Sequence, residues 1–202
     1  MSDMNGNGVD VKRRRFITMT SSAIGAVGVA AATVPFVASM SPSERAKAAG
    51  APVEVDVSKL EPGQMVRVEW RGKPVFVLNR TEEMVAGLNK VTAMLRDPDS
   101  ADPQQPEFAQ NETRSLNPDI LVMVGICTHL GCAPVNNFEV GSASGLGDDW
   151  QGGFYCPCHG SKFDLSGRVY SGVPAQQNMV IPPYSYLDDN RILVGVNPEE
   201  VA

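Results

Sequence analysis

The chain has 202 residues, of which 43% are hydrophobic, and carries a formal net charge of −6. This length allows one domain plus a tail, and the apolar fraction is enough for a real core. The acidic balance argues against nucleic acid as a partner, because nucleic-acid-binding domains are typically basic. An acidic surface suits a basic partner instead, although most acidic proteins are simply soluble.

A basic cluster near the N-terminus is followed by a run without charges from Phe16 to Ser43. The cluster, Lys12-Arg13-Arg14-Arg15-Phe16-Ile17, resembles the twin-arginine export signal, which serves proteins that are exported already folded. The stretch from Phe16 to Phe36 is long enough for a bilayer-spanning helix, and Pro35 stands near its outer end, where a helix can stop. Because Ala46-Lys47-Ala48 also fits a cleavage site, the pattern leaves a cleaved signal open beside a retained anchor.

We predict a cytoplasmic tail over residues 1–15, a transmembrane anchor over 16–37 and a linker over 38–50 that is flexible or weakly helical. By the positive-inside rule the basic cluster then stays in the cytoplasm. The C-terminal head, residues 51–202, is therefore expected on the other side of the membrane.

The head shows the short runs of alternating apolar and polar residues that are typical of antiparallel strands. Strands are predicted over residues 53–57, 65–70, 75–78, 120–124, 184–187 and 192–196. One helix is predicted after the N-cap Thr81, with a core-facing stripe at Met84, Leu88, Val91 and Leu95. Residues 97–119 are rich in Pro, Asp, Gln and Asn and are predicted to form a surface loop. We predict a mainly β head, an antiparallel β-sandwich with a small subdomain over about 125–173 inserted into a larger base sheet.

All 4 cysteines and both histidines lie in two short runs. The runs are Cys127-Thr128-His129-Leu130-Gly131-Cys132 and Cys156-Pro157-Cys158-His159-Gly160-Ser161. Two structural disulfides would suit an exported chain with an even cysteine count, but they leave both histidines unexplained. Zinc is a second alternative, although its usual spacings pair cysteine with cysteine and histidine with histidine. The mixed pairs favour a Rieske [2Fe-2S] centre, in which two histidines replace two cysteines on one iron.

The two runs resemble the cluster-binding boxes of the Rieske iron-sulfur family, and the wider pattern resembles the Rieske subunits of ubiquinol–cytochrome c reductase (cytochrome bc) complexes. The resemblance covers most of the chain and is weakest over residues 96–119 and 136–152. It implies two ligands for each iron, Cys127 and Cys156 on one and His129 and His159 on the other. It also implies a disulfide between Cys132 and Cys158 that ties the two loops together over the cluster.

The same resemblance assigns roles to residues around the cluster. Ser161 stands where the family's serine donates a hydrogen bond to sulfur, and Phe163 stands where a tyrosine often donates a second one that phenylalanine cannot. Leu130 would shield the cluster and dock against a partner. Residues Gly172 to Ala175, with Pro174, resemble the loop that covers the other side of the cluster. Gln176 stands where a second proline is common, so a less rigid loop is expected.

The resemblance implies a one-electron carrier in a respiratory quinol:cytochrome c oxidoreductase, with a single-pass anchor in a bacterial inner membrane and its head in the periplasm. The expected partners are a cytochrome b subunit, a c-type cytochrome subunit, ubiquinol and membrane lipid, in a dimeric complex. His159 would be the catalytic residue that takes the proton of quinol, and the head would swing on its linker. The alternative is the exported Rieske subunit of an arsenite-oxidase-type enzyme or another periplasmic Rieske carrier. A Rieske oxygenase would need two further histidines, which the sequence lacks.

Overall fold

The computed structural model describes residues 4–5 and 9–200; part of the predicted tail over 1–15, residues 1–3 and 6–8, lies outside the described residues. The chain divides into two compact units, Met1–Ala48 and Ala49–Ala202. Near the N-terminus, strands β1 (Met4–Asn5) and β2 (Val9–Asp10) pair antiparallel. Helices α1 (Val11–Ser39) and α2 (Glu44–Ala49) follow.

Helix α1 is longer than the anchor predicted over 16–37. It begins after Asp10, whose carboxylate accepts hydrogen bonds from the backbone N–H groups of Lys12 and Arg13 at 3.0 and 3.1 Å. Pro35 lies inside the helix, close to its end at Ser39. A proline removes one backbone hydrogen bond, and a long helix with its other bonds intact can continue through that gap.

The apolar surface of α1 is uncovered by protein. Among the described residues, one helix is long and apolar enough to cross a membrane, and it is α1. Its most apolar window has a mean hydropathy of 1.8. Its large side chains are exposed, for example Phe16 at 70% and Phe36 at 78%. Exposed apolar area of this extent is typical of a surface that lipid or a partner covers.

Helix α2 lies in the segment predicted as a linker. The Ser43 hydroxyl accepts a hydrogen bond from the backbone N–H of Ala46 at 3.2 Å, and Lys47 pairs with Glu44 at 2.7 Å. Both members of that ion pair are exposed, so it contributes little to stability. A helix of this length is marginal on its own, as expected for a segment that is at most weakly helical.

Within its described residues, 49–200, the second unit contains three three-stranded antiparallel sheets. The first joins β4 (Met65–Trp70), β5 (Lys73–Asn79) and β6 (Ile120–Val124) in that order. The second, in the order β10-β11-β3, joins β10 (Tyr184–Asp188), β11 (Arg191–Val194) and β3 (Val53–Asp56). The third joins β7 (Val135–Asn137), β8 (Gly153–Cys156) and β9 (Ser161–Phe163) and falls within the predicted subdomain over 125–173. The mainly β, antiparallel fold class is confirmed.

The core is centred on strands β5 and β6. Val77, Leu78 and Leu121 have no exposed surface, and each such residue contributes about 1.5–3 kcal/mol by leaving water. Unbroken apolar runs of this kind are typical of strands buried on both faces. Strand β6 leads into the first Cys/His run through Gly125, where a Cβ atom would lie 2.3 Å from the ring of Phe76. Any side chain at position 125, between the core strand and the first run, would therefore collide with Phe76 unless that ring moved.

Helix α3 (Glu82–Val91) begins at the predicted N-cap. The Thr81 hydroxyl accepts a hydrogen bond from the backbone N–H of Met84 at 3.3 Å. Leu88 is buried at 1% exposure, which confirms the core-facing stripe. Leu95 is also buried, but it lies beyond the helix in an isolated β-bridge with Tyr170.

The prediction of a surface loop over residues 97–119 is wrong in part. The segment is largely irregular, but four of its residues are buried: Ser100, Ala109, Arg114 and Ser115. Its Pro, Asp, Gln and Asn content indicates an irregular backbone, not exposure. Polar groups can be buried wherever each finds a hydrogen-bond partner.

Two buried arginines attach this segment to the turn that follows β9. Arg80 Nη1 donates to the carbonyl oxygens of Thr113 at 2.9 Å and Leu165 at 3.1 Å. Arg114 Nη1 donates to the carbonyl oxygen of Ser166 at 3.1 Å. Arg80 thus binds a backbone carbonyl on each side of the contact, whereas Arg114 binds carbonyls of the turn and, through Nη2, the side-chain oxygen of Gln105 at 2.8 Å.

A third buried arginine, Arg168, holds the same turn from within. Its Nε donates to the Asp164 carboxylate at 2.7 Å, and both side chains are 1% exposed. Its Nη2 donates to the carbonyl oxygen of Leu88 in α3 at 3.1 Å. Among the described residues, Asp164 is the one acidic residue in the buried set, against three buried arginines.

Candidate metal centre

Each Cys/His run forms a loop closed in the same way. In the first loop the Gly131 N–H donates to the carbonyl oxygen of Cys127 at 3.0 Å, and in the second the Gly160 N–H donates to that of Cys156 at 2.9 Å. Both glycines have positive φ, +85° and +80°, a backbone conformation that other residues adopt at a cost. The two runs therefore present their cysteine and histidine side chains from matching turns.

The structure brings the four predicted ligands together as two pairs, one of cysteines and one of histidines. Cys127 and Cys156 are buried, at 2% and 1% exposure, and the Cys156 sulfur is close enough to Cys127 to raise its pKa. The rings of His129 and His159 lie 4.9 Å apart and perpendicular. His129 is half-buried and His159 is exposed, so the sulfurs face the core and the imidazoles face outward.

The other two cysteines are joined. A disulfide links Cys132 to Cys158, with 6.7 Å between the Cα atoms, and connects the two loops across 26 positions of sequence. The Cys156 sulfur lies within 4.8 Å of both disulfide sulfurs. Because the bonded sulfurs offer no thiolate, Cys127 and Cys156 are the free thiols of this site.

The Cys127 thiol lies in an environment of opposing effects. Burial raises the pKa of Cys127, and the neighbouring Cys156 sulfur raises it further. Hydrogen bonds from the His129 backbone N–H and from the Ser161 hydroxyl lower it, because both favour the thiolate. The raising effects prevail, so the pKa of Cys127 lies above its ordinary value, and binding a metal as thiolate displaces the thiol proton.

The donor set fits a Rieske cluster. Two free, buried cysteine sulfurs stand together for one iron, and two neighbouring imidazoles stand together for the other. A cavity of about 720 Å³ elsewhere in this unit, lined by Phe108, Leu116 and other residues, contains none of these donors. The exposed His159 and Leu130 place the centre at the surface of the head.

The remaining predicted residues surround these loops. Ser161 and Phe163 lie two positions apart on β9, both fully buried, so they share one face of the strand. Leu130 is 74% exposed. Gly172 and Pro174 are also exposed.

Sequence reasoning missed a residue that fastens the first loop. The Thr128 hydroxyl donates to the carbonyl oxygen of Gln177 at 2.6 Å, which ties the first run to the loop that contains Pro174. Ser161 makes a matching link, since its Oγ accepts from the Ala175 N–H at 3.0 Å. The position of Thr128 directly between Cys127 and His129 was the available signal, but its partner is distant in sequence.

Comparison with known proteins matched both parts of the chain. The family described as "Rieske [2Fe-2S] domain" matches residues 51–185, and "Ubiquitinol-cytochrome C reductase Fe-S subunit TAT signal" matches residues 4–43. The ubiquinol-cytochrome c reductase iron-sulfur subunit of Allochromatium vinosum is 56% identical over 192 residues, covering 95% of this chain and 92% of that protein. The corresponding subunit of Rhodospirillum rubrum is 42% identical over 189 residues, covering 93% and 94%. A solved chain of a hyperthermophilic respiratory Complex III is 29% identical, with a TM-score of 0.46, covering 87% of this chain and 98% of that one.

Proposed function

This chain belongs to the Rieske [2Fe-2S] family as a ubiquinol-cytochrome c reductase iron-sulfur subunit, an electron carrier, and we propose that it takes electrons from ubiquinol and delivers them to a c-type cytochrome. The observation that carries this proposal is the grouping of two free buried thiols with two adjacent imidazoles near the surface. Cys127 and Cys156 would hold one iron, and His129 and His159 would hold the other. When bound, such a cluster supplies one-electron transfer at a higher potential than an all-cysteine cluster, with Rieske centres at about −150 to +300 mV.

His159 is the catalytic residue of the proposal. Its ring is exposed and packs against the ring of His129. Among the described residues it has no hydrogen-bond partner. The ring nitrogen that does not bind iron is therefore free to accept the proton of a quinol hydroxyl. Histidine suits this task because its ordinary pKa lies near neutral pH.

Leu130 provides the apolar contact with the quinol pocket of cytochrome b. Its side chain is 74% exposed, and Pro174 and Pro157 near the same loops are exposed too. Burying one leucine contributes about 1.5–3 kcal/mol, which is enough to guide docking without making it permanent. A carrier with two successive partners must dissociate from the first before it binds the second, so each contact has to be weak.

The N-terminal unit anchors the protein. Helix α1 has the length and hydropathy of a membrane span, and the twin-arginine family match covers the same stretch. With Lys12 to Arg15 in the cytoplasm, the head lies in the periplasm, where the Cys132–Cys158 disulfide persists. Residues 38–50 act as the hinge on which the head moves between cytochrome b and the c-type cytochrome, in a dimeric complex.

Electron paramagnetic resonance of membranes that contain the whole complex tests this function. The reduced cluster is expected to give a Rieske signal that quinol generates and that changes when an inhibitor occupies the quinol pocket. His159→Ala should lose the signal and bind fewer than two irons, whereas Leu130→Ala should keep the signal and slow quinol oxidation. A signal that neither quinol nor the inhibitor affects would favour a periplasmic carrier of the arsenite-oxidase type instead.

A further inference from the structure

The two Cys/His runs enter the site from different sheets. The first run follows β6, which pairs with β5, and the second run connects β8 to β9. The disulfide between Cys132 and Cys158 joins the two runs at one point. Because one cross-link leaves two loops free to pivot about it, their relative position depends on a further contact.

Phe76 makes such a contact from β5. Its side chain is 2% exposed, and its ring stacks on the ring of Phe154 in β8, with 5.9 Å between the ring centroids and 29° between the ring planes. Phe154 lies two positions before Cys156 and shares one face of β8 with it, and both side chains are buried. The Phe76 ring therefore packs against the strand that leads into the second run.

The same ring lies against the segment that leads into the first run. A Cβ atom at Gly125 would lie 2.3 Å from Cε1 and 2.4 Å from Cζ of Phe76, so the ring is directly beside the Gly125 backbone. The Gly125 N–H also donates to the carbonyl oxygen of Pro74 at 2.8 Å, which holds this segment against β5. Gly125 lies two positions before Cys127. One ring thus contacts both approaches, each two positions ahead of a cysteine.

Further contacts hold the Phe76 ring. The Arg67 guanidinium lies over it, 5.1 Å from the ring centroid, and Arg67 Nη2 donates to Asn136 Oδ1 in β7 at 3.4 Å. Phe154 in turn packs edge-on against Phe138, with 6.0 Å between the centroids. A flat ring packed among such neighbours defines a separation more closely than a flexible aliphatic side chain does.

We propose that Phe76 is a positioning residue, which fixes the separation of the two runs on their core side and so holds Cys127 and Cys156 where they can share one iron. This inference rests on the proposed function, in which these two cysteines are ligands. A phenyl ring offers no metal ligand and no hydrogen-bond donor, so Phe76 acts through its packing against Gly125 and Phe154.

Two measurements on the purified whole complex test the inference: the electron paramagnetic resonance line width of the reduced cluster, and the rate at which a chelator removes iron. Phe76→Leu is expected to broaden the signal, because the ligand geometry becomes heterogeneous. It should also speed iron loss at least about tenfold, because the space left by the ring allows more frequent local opening. The matched control is Phe108→Leu, the same substitution at a ring that packs edge-on against Tyr184, 5.1 Å away. The control should keep the wild-type line width and rate.

Gly125→Ala gives the decisive comparison. The φ of Gly125 is not positive, so the added methyl group is opposed by the Phe76 ring and not by the backbone. Alone, Gly125→Ala should broaden the signal and speed iron loss. The double variant Phe76→Leu/Gly125→Ala removes the collision and should lose iron more slowly than Gly125→Ala. Simple addition of the two single effects would overturn the inference.

Phe76→Met is the second variant, because it keeps most of the buried volume without the flat ring and folds even where Phe76→Leu does not. It should also broaden the signal. A wild-type line width and rate of iron loss in Phe76→Met, or an equal change in Phe108→Leu, would contradict a positioning role. The spectra are recorded after chemical reduction with dithionite. A wild-type signal that appears with dithionite but not with quinol would therefore count against the proposed function and not against the role of Phe76.

Discussion

Asp164→Asn is expected to destabilise the head strongly, although the side chain keeps its shape. The carboxylate of Asp164 accepts hydrogen bonds from the backbone N–H groups of Ser166 at 2.9 Å and Arg168 at 2.7 Å, and from Arg168 Nε at 2.7 Å. Burial lowers the pKa of Arg80 and Arg114 to about 10, and the charge of Asp164 opposes that shift in both. The negative charge of this one carboxylate therefore stabilises three buried guanidinium groups.

The size of the stability loss in Asp164→Asn follows from the number of buried charges. Three buried arginines and one buried aspartate carry a net charge of about +2, and the asparagine variant raises it to about +3. Removing one partner of a buried pair costs about 3–5 kcal/mol. For a domain of this size each kcal/mol lowers the melting temperature by about 2–4 °C, so a loss of roughly 6–20 °C is expected.

Thermal unfolding of the full chain measures this effect, followed by the fluorescence of the buried Trp70 and Trp150. The matched control is Asp188→Asn, which removes the exposed pair with Arg191 and should leave the melting temperature close to the wild-type value. Arg168→Met lowers the buried charge and should destabilise less than Asp164→Asn. If Asp164→Asn melts no lower than the control, the argument from buried charge is wrong.

The remaining predictions concern the disulfide, the cluster, the tyrosines and the linker. Cys132→Ser removes a cross-link across 26 positions and should lower the free energy of unfolding by about 3.5 kcal/mol, as denaturant titration would reveal. Phe163→Tyr adds a donor on the face of β9 that carries Ser161 and should raise the midpoint potential in a redox titration; an unchanged or lower value would contradict this. Burial raises the pKa of Tyr186 to about 12, so the stability gained from its neutral form is complete below its unfolded pKa of about 10 and is lost as the pH rises to about 12. Tyrosinate absorbance should therefore show delayed ionisation in the native protein but not after unfolding. Proline substitutions within 44–49 should slow electron delivery to the cytochrome and leave the cluster spectrum intact, and unchanged turnover would argue that the linker is only a spacer.

The type of metal centre could be predicted from the sequence. The donor types and their spacing lie within two contiguous runs, so covalent neighbours alone bring each cysteine beside its histidine. The match to the Rieske [2Fe-2S] domain confirms the cofactor, and the individual ligand assignments stay predictions. Strands β4 and β6 and the Thr81 cap were predictable for the same reason, because alternation and capping depend on residues a few positions apart.

Other features were decided only by the tertiary structure. Burial of Arg114 depends on carbonyl groups in the turn after β9, 52 positions later, and the contact of Gln176 with Arg96 spans 80 positions. Composition indicated that residues 97–119 lack regular structure, but it could not indicate that four of them are buried. Likewise the proline missing at position 176 predicted a looser loop, because the sequence does not show that Arg96 lies beside it. Local patterns report on neighbours along the chain, whereas the burial of a charge or an amide depends on which distant groups the fold brings within hydrogen-bond distance.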